Sequence, residues 1–121
     1  MARILVAEGD HWSRTIVFEL LVSRGHDVQC ATSVDDGRAQ LDSVKFDAVL
    51  LDTSIPGGGG KTLLREIRKY SLAIPVIAFT ASAMDGDRER LLSDGFTGYI
   101  SKPFDVKSFG EALEAYLLSP Q

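Results

Sequence analysis

Five short apolar runs alternate along the chain with five stretches whose apolar residues recur at helical spacing. No other feature restricts the fold as much. A strand, a helix and a second strand in that order return to a parallel neighbour through a crossover of one hand. Ile4 to Ala7 is the first strand, and Ile16, Val17, Leu20 and Leu21 form the apolar face of the helix after it, which Gly25 closes. Asp27 to Ala31 and Val34 to Leu41 make a weaker second pair. Phe46 to Leu51 has the length and composition of a strand buried on both faces. The helix from Lys61 to Tyr70 carries Leu63, Leu64, Ile67 and Tyr70 on one side. "IPVIAFT" is the fourth strand, followed by a helix over Asp87 to Ser93 that ends at Gly95. "GYIS" is the fifth, and Val106, Phe109, Leu113, Tyr116 and Leu117 mark a face of the last helix. The expectation is an α/β fold: a doubly wound, five-stranded parallel sheet in the order 2-1-3-4-5.

The 121 residues suit one such domain, and no repeat, low-complexity tract or linker divides them. A net charge of −4 without a basic stripe argues against direct nucleic-acid binding. No run approaches a membrane span, and no secretory signal opens the chain. A single cysteine, Cys30, excludes an internal disulfide, fits a reducing cytoplasm and reads as a small buried hydrophobe in the second strand.

"SIPGGGGKT" looks at first like a nucleotide-phosphate loop. That loop needs glycine, four residues, then Gly-Lys-Ser/Thr, and the position for the first glycine holds Ile55. The residue just before this stretch is more telling. Asp52 stands where a buried strand stops and a loop begins, at the edge where parallel sheets bind ligands. The other strand ends add Glu8 and Asp10 in "AEGD", Thr80 followed by Ala81 and Ser82, and Lys102 in "SKPF". Carboxylates, a hydroxyl and a lysine would meet in one crevice. Carboxylates hold divalent cations, and a lysine adds a second positive charge, so the crevice suits a phosphoryl group.

These elements, in order, resemble the CheY-like receiver domain of bacterial response regulators, over nearly the whole chain from "RILVAEGD" to "FGEALEAYL". "VLLDTSIPGGGG", "PVIAFTA" and "GYISKPF" carry the likeness. "AFTASAMDGDRERLLSDGFTGYISKPF" is most similar to single-domain regulators of the DivK kind and to receivers of hybrid histidine kinases. The resemblance implies a flavodoxin-like (βα)5 fold and one receiver domain over residues 1–121, with no output domain. It implies Asp52 as phosphoacceptor, loaded by a histidine kinase or a histidine phosphotransfer protein, and Lys102 as the phosphoryl-oxygen ligand. Thr80 and Tyr99 would be the switch residues, and the Lys102–Pro103 bond would be cis. Mg²⁺ would be held by Glu8, Asp10, Asp52 and the backbone carbonyl of Ser54. A downstream protein would bind the face made by the fourth helix, fifth strand and fifth helix. Such a domain is not an enzyme with an external substrate; it catalyses only its own phosphorylation and dephosphorylation.

One departure stands out. The family has two adjacent acids at the end of the first strand, the second a direct metal ligand, and here the pair is Glu8-Gly9. Asp10 is shifted by one and suits an N-cap of the first helix. The cation site is therefore expected to be weakened, and a phosphorylation-independent protein-interaction module, a pseudo-receiver, is the alternative function. Trp12 is expected to pack at the start of the first helix, His11 and His26 to lie on the surface, and "DGDRER" to be a solvated helix start. The turn beside Asp52 needs fewer glycines than the four present.

Overall fold

A computed structural model describes residues 1–81 and 87–118. The strands are β1 (Arg3–Ala7), β2 (Asp27–Ala31), β3 (Ala48–Asp52), β4 (Val76–Thr80) and β5 (Gly98–Ser101). The helices are α1 (His11–Ser23), α2 (Val34–Ser43), α3 (Gly60–Tyr70), α4 (Asp87–Asp94) and α5 (Val106–Leu118). The strands form one parallel sheet in the order β2-β1-β3-β4-β5. Its register sets Ala7 beside Leu51, Asp52 beside Phe79 and Thr80 beside Ser101, which brings the polar strand ends to one edge.

Successive side chains of a strand point to opposite faces, so each strand feeds two cores. Leu5, Ala7, Val49, Leu51 and Ala78 pack against Val34 of α2, Leu63, Leu64 and Ile67 of α3, and Leu91 of α4. Ile4, Val6, Leu50, Ile77 and Phe79 pack against Val17 and Leu21 of α1 and Phe109 and Leu113 of α5. Every residue of β3 and β4 is buried, as their continuous apolar runs predict. Among the described residues no helix is long and apolar enough to cross a membrane.

The helix starts follow local chemistry. Asp10 Oδ2 accepts the Ser13 amide at 2.9 Å and caps α1, and Ser33 Oγ accepts the Asp36 amide at 3.1 Å and caps α2. The start of α3 has no side-chain cap. Its approach uses the glycine run instead: Gly57, Gly58 and Gly59 all have positive φ, where other residues are strained. Gly60 answers a different need. A Cβ there would stand 2.9 Å from Thr53 Cα and 3.0 Å from the Asp52 carbonyl oxygen, so only glycine lets α3 begin against the end of β3. All four glycines are thus accounted for.

Several expected apolar contacts are not made. Ile16 and Val106 lie on exposed sides of α1 and α5, and Tyr70 turns outward to set its hydroxyl 3.3 Å from Asp42. Trp12 is 72% exposed, its ring meeting that of His11 edge-on, so it is not packed into the core at the helix start. Cys30 is half-buried. Arg88, Glu89 and Arg90 are exposed at the start of α4, the solvated start expected of "DGDRER", and Arg90 pairs with Asp87 at 3.1 Å; Asp85 and Gly86 of that motif lie outside the described residues.

His26 corrects the surface expectation, its side chain being only 8% exposed. Its Nδ1 accepts the Ala2 amide at 3.1 Å, which leaves the proton on Nε2, 2.8 Å from Glu114 Oε2. Arg24 forks onto the same carboxylate at 2.8 and 2.6 Å, tying α5 to the end of α1. Hydrogen bonds from Arg24 and then His26 hold the Glu114 carboxyl down at about 2. A depressed carboxylate pKa contributes stability above the unfolded value, and that contribution is lost as pH falls toward the folded one. Glu114→Gln is expected to cost about 1–2 kcal/mol at neutral pH, allowing for solvent screening. Urea midpoints should show this deficit shrinking as pH falls below 4.5 toward 2. A deficit that is constant with pH would place the loss in packing instead.

Candidate functional site

The pocket is built from the ends of β1, β3, β4 and β5. Glu8 follows β1, its amide donating to the Ala31 carbonyl at 2.9 Å, and its side chain is fully buried. Both carboxylate oxygens are engaged: Oε2 accepts the Asp10 amide at 3.0 Å and Oε1 accepts Lys102 Nζ at 2.7 Å. Asp52, 5% exposed, ends β3. Its Oδ1 accepts both the amide and the hydroxyl of Ser54, each at 3.0 Å, and lies 3.6 Å from Lys102 Nζ. Lys102 follows β5, its amide donating to the Thr80 carbonyl at 2.8 Å, and the Lys102–Pro103 bond is cis. The ammonium sits 4.7 Å from the centre of the Phe79 ring, an apolar floor beneath the charge.

Two buried carboxylates share one ammonium, so they do not ionise alike. Burial pushes the Glu8 carboxyl up, hydrogen bonding with Asp52 pushes it further, and the Asp10 amide and Lys102 only partly offset this. Burial also works against ionised Asp52. It is outweighed by hydrogen bonding with Glu8, the Ser54 amide, the charge of Lys102 and the Ser54 hydroxyl, which leave Asp52 below its usual range. The pair's surroundings thus favour the ionised form at Asp52 more than at Glu8. That is the state a nucleophile needs.

Glu8, Asp52 and Lys102 are therefore in direct contact, with Ser54 bonded to Asp52 and Thr80 joined through the Lys102 backbone. Thr80 is buried at the end of β4, beside exposed Ala81; Ser82 lies outside the described residues. Tyr99 is half-buried against the core under α2, α3 and α4, and its carbonyl accepts the Tyr116 hydroxyl at 3.4 Å. Asp10 is exposed, and its carboxylate is lowered first by the Ser13 amide it caps. Among the described residues no three His, Cys, Asp or Glu side chains gather as a metal-holding group.

Two contributors were not singled out from the sequence. Phe79 floors the lysine, and Arg14 Nη1 donates to the carbonyls of Glu8 and Gly9 at 3.1 and 3.3 Å, clasping the loop after β1. Pro56, in the loop beside Asp52, also reaches Gly9: a Cβ there would stand 2.7 Å from Pro56 Cδ. The Phe79 and Pro56 contacts join residues distant in the chain, and Arg14 reaches back from α1 to the loop before it, a link that apolar patterning does not report.

Residues 4–114 match the response regulator receiver domain family. Hybrid signal transduction histidine kinase I of Dictyostelium discoideum is 32% identical over 95% of this chain and 7% of its own length. The phosphate regulon transcriptional regulatory protein PhoB of Escherichia coli K12 is 33% identical over 95% of this chain and 51% of its own. The chain thus spans about half the length of that regulator and a small part of the kinase. Among solved structures, the receiver domain of sensor histidine kinase PA1611 from Pseudomonas aeruginosa PAO1 superposes with a TM-score of 0.86 at 30% identity. That match covers 98% of each chain, and the structure has a magnesium ion coordinated in its active-site cleft.

Proposed function

The chain belongs to the response regulator receiver domain family, with a phosphorelay or protein-interaction role, and on that premise we propose that Asp52 accepts a phosphoryl group from a histidine kinase or histidine phosphotransfer protein. The observation that carries this reading is Lys102 Nζ poised between Glu8 and Asp52, at 2.7 and 3.6 Å. We take residues 1–121 as one receiver domain acting in the cytoplasm.

Ser54 pins one oxygen of Asp52, and the other attacks the phosphorus of a phosphohistidine. An O–P bond forms as the P–N bond breaks. The electron pair leaves with the imidazole nitrogen, which takes a proton from solvent. Lys102 meets the phosphoryl oxygens, where a fixed positive charge lowers the barrier most. Water attacking phosphorus reverses the state, releasing phosphate and restoring the carboxylate. A receiver domain of this family is not an enzyme acting on an external substrate. For a magnesium ion such as the one the Pseudomonas receiver holds, this pocket would offer only Asp52, the Ser54 carbonyl and Glu8, one carboxylate short of the family set.

Output follows from position. Thr80 turns its hydroxyl toward the bound phosphoryl group, Tyr99 moves inward behind it, and the face formed by α4, β5 and α5 changes its affinity for a downstream protein. Phosphate shifts this equilibrium only by binding the two states unequally. Incubation with phosphoramidate should add one phosphoryl mass to the intact chain and move NMR resonances of α4, β5 and α5. Shifts confined to the surroundings of α2 would contradict this route. A chain that gains no mass would favour the second reading, the constitutive module, for which Gly9 is the supporting observation.

A further inference from the structure

Three things that a divalent cation would need from this pocket are already committed. Gly9 offers no side-chain ligand, and its carbonyl accepts Arg14 at 3.3 Å. Asp10 turns Oδ2 to the Ser13 amide as the helix cap, and both Glu8 oxygens are taken, by Lys102 and by the Asp10 amide. The room beside Gly9 is taken as well, since its missing Cβ would lie 2.7 Å from Pro56 Cδ and 3.3 Å from Cγ. A proline ring cannot swing aside as a flexible side chain does, and its neighbours hold it. The Pro56 carbonyl accepts the Val34 amide at 2.9 Å, Ile55 is 1% exposed, and the Ile55 amide donates to the Asp52 carbonyl at 3.2 Å. The loop after β3 has settled onto the glycine.

We infer that this pocket works with Lys102 as its resident cation and does not recruit a divalent one, Gly9 and Pro56 together closing the place of the missing carboxylate. Lys102 is positioned for that role, within reach of both carboxylates and floored by Phe79. The meaning of the inference rests on the phosphoacceptor reading, but cation binding can be measured without phosphate. The two can therefore fail separately. A consequence for the reaction is that phosphate uptake should proceed at the same rate in EDTA as in Mg²⁺.

The test titrates Mg²⁺ by calorimetry and Mn²⁺ by paramagnetic NMR broadening into the parent, Gly9→Asp and Gly9→Asp/Pro56→Ala. The parent should show no saturation in the low millimolar range. The double variant should saturate at least about tenfold tighter, because one added carboxylate is a large fraction of the one or two that Mg²⁺ ordinarily takes from protein. Gly9→Asp alone should fall between them, since its new side chain must first displace the proline ring. The double variant removes that ring, so it keeps the test decisive if the single variant fails to fold. Parent binding as tight as the double variant's, with broadening centred on Asp52, would overturn the inference. So would phosphate uptake by the parent that stops in EDTA. Uptake absent under both conditions would instead count against the phosphoacceptor reading, leaving the cation titration to decide this one.

Discussion

In Asp52→Asn, phosphate uptake is expected to fall below detection while the domain melts as a folded protein. The substitution is close to isosteric, and an amide oxygen can still accept the Ser54 amide and hydroxyl that now bond Oδ1. Glu8 and Lys102 keep their 2.7 Å contact. The nucleophile is what disappears, because an amide does not attack phosphorus as a carboxylate does. The loss should thus be all or none, unlike the graded losses of a positioning change. Intact mass after incubation with phosphoramidate reads it directly. The same gain in parent and variant would place the acceptor on another residue.

Lys102→Met should injure both fold and chemistry. The ammonium is the charge that offsets Glu8 and Asp52, whose side chains are only 1% and 6% exposed. Removing one partner of a buried pair leaves an uncompensated charge, a loss of several kcal/mol in fully buried sites. Lys102 is 22% exposed, so water moderates the effect, and about 2–4 kcal/mol is expected near pH 7. The carboxylates can recover some of this by holding a proton, and the sign of the pH dependence follows. Glu8, already raised by burial and by Asp52, would rise further in the variant. A group raised on folding contributes stability below its unfolded pKa and loses it as pH rises through the folded one. The deficit should therefore be larger at pH 8 than at pH 5. Phosphate uptake should slow by roughly a hundredfold, the usual cost of removing one charge-stabilising donor. Uptake at the parent rate would remove Lys102 from the reaction, and a deficit independent of pH would remove it from the carboxylate pair.

The order of the sheet and its polar edge were legible in the sequence because their signals are local. Alternating apolar runs are enough to order the sheet, and the last polar residue of each run marks the edge that gathers Glu8, Asp52, Thr80 and Lys102. The N-cap role of Asp10 was legible for the same reason, being written within four residues. What was not legible depends on neighbours distant in sequence. Ile16, Tyr70 and Val106 fit helical spacing, but that spacing does not say which end of an apolar stripe overhangs the core. His26 read as a loop residue because its partners, Ala2 and Glu114, lie 24 and 88 residues away. The glycine run resembled a phosphate loop. Its use is to carry the chain through three positive-φ residues and seat α3 against Thr53, which only the backbone path reveals.

If the phosphoryl group resides on Asp52 as an acyl phosphate, borohydride reduction of the phosphorylated chain will mark that residue. A first hydride attacks the acyl carbon and expels phosphate, a second hydride and a proton from solvent reduce the resulting aldehyde, and an aspartyl phosphate becomes homoserine, a change peptide mapping can place at one residue. Homoserine at position 52, appearing only after exposure to phosphoramidate or to a phosphohistidine donor, is the predicted result. Homoserine absent from position 52 in a chain that has gained phosphoryl mass would contradict it.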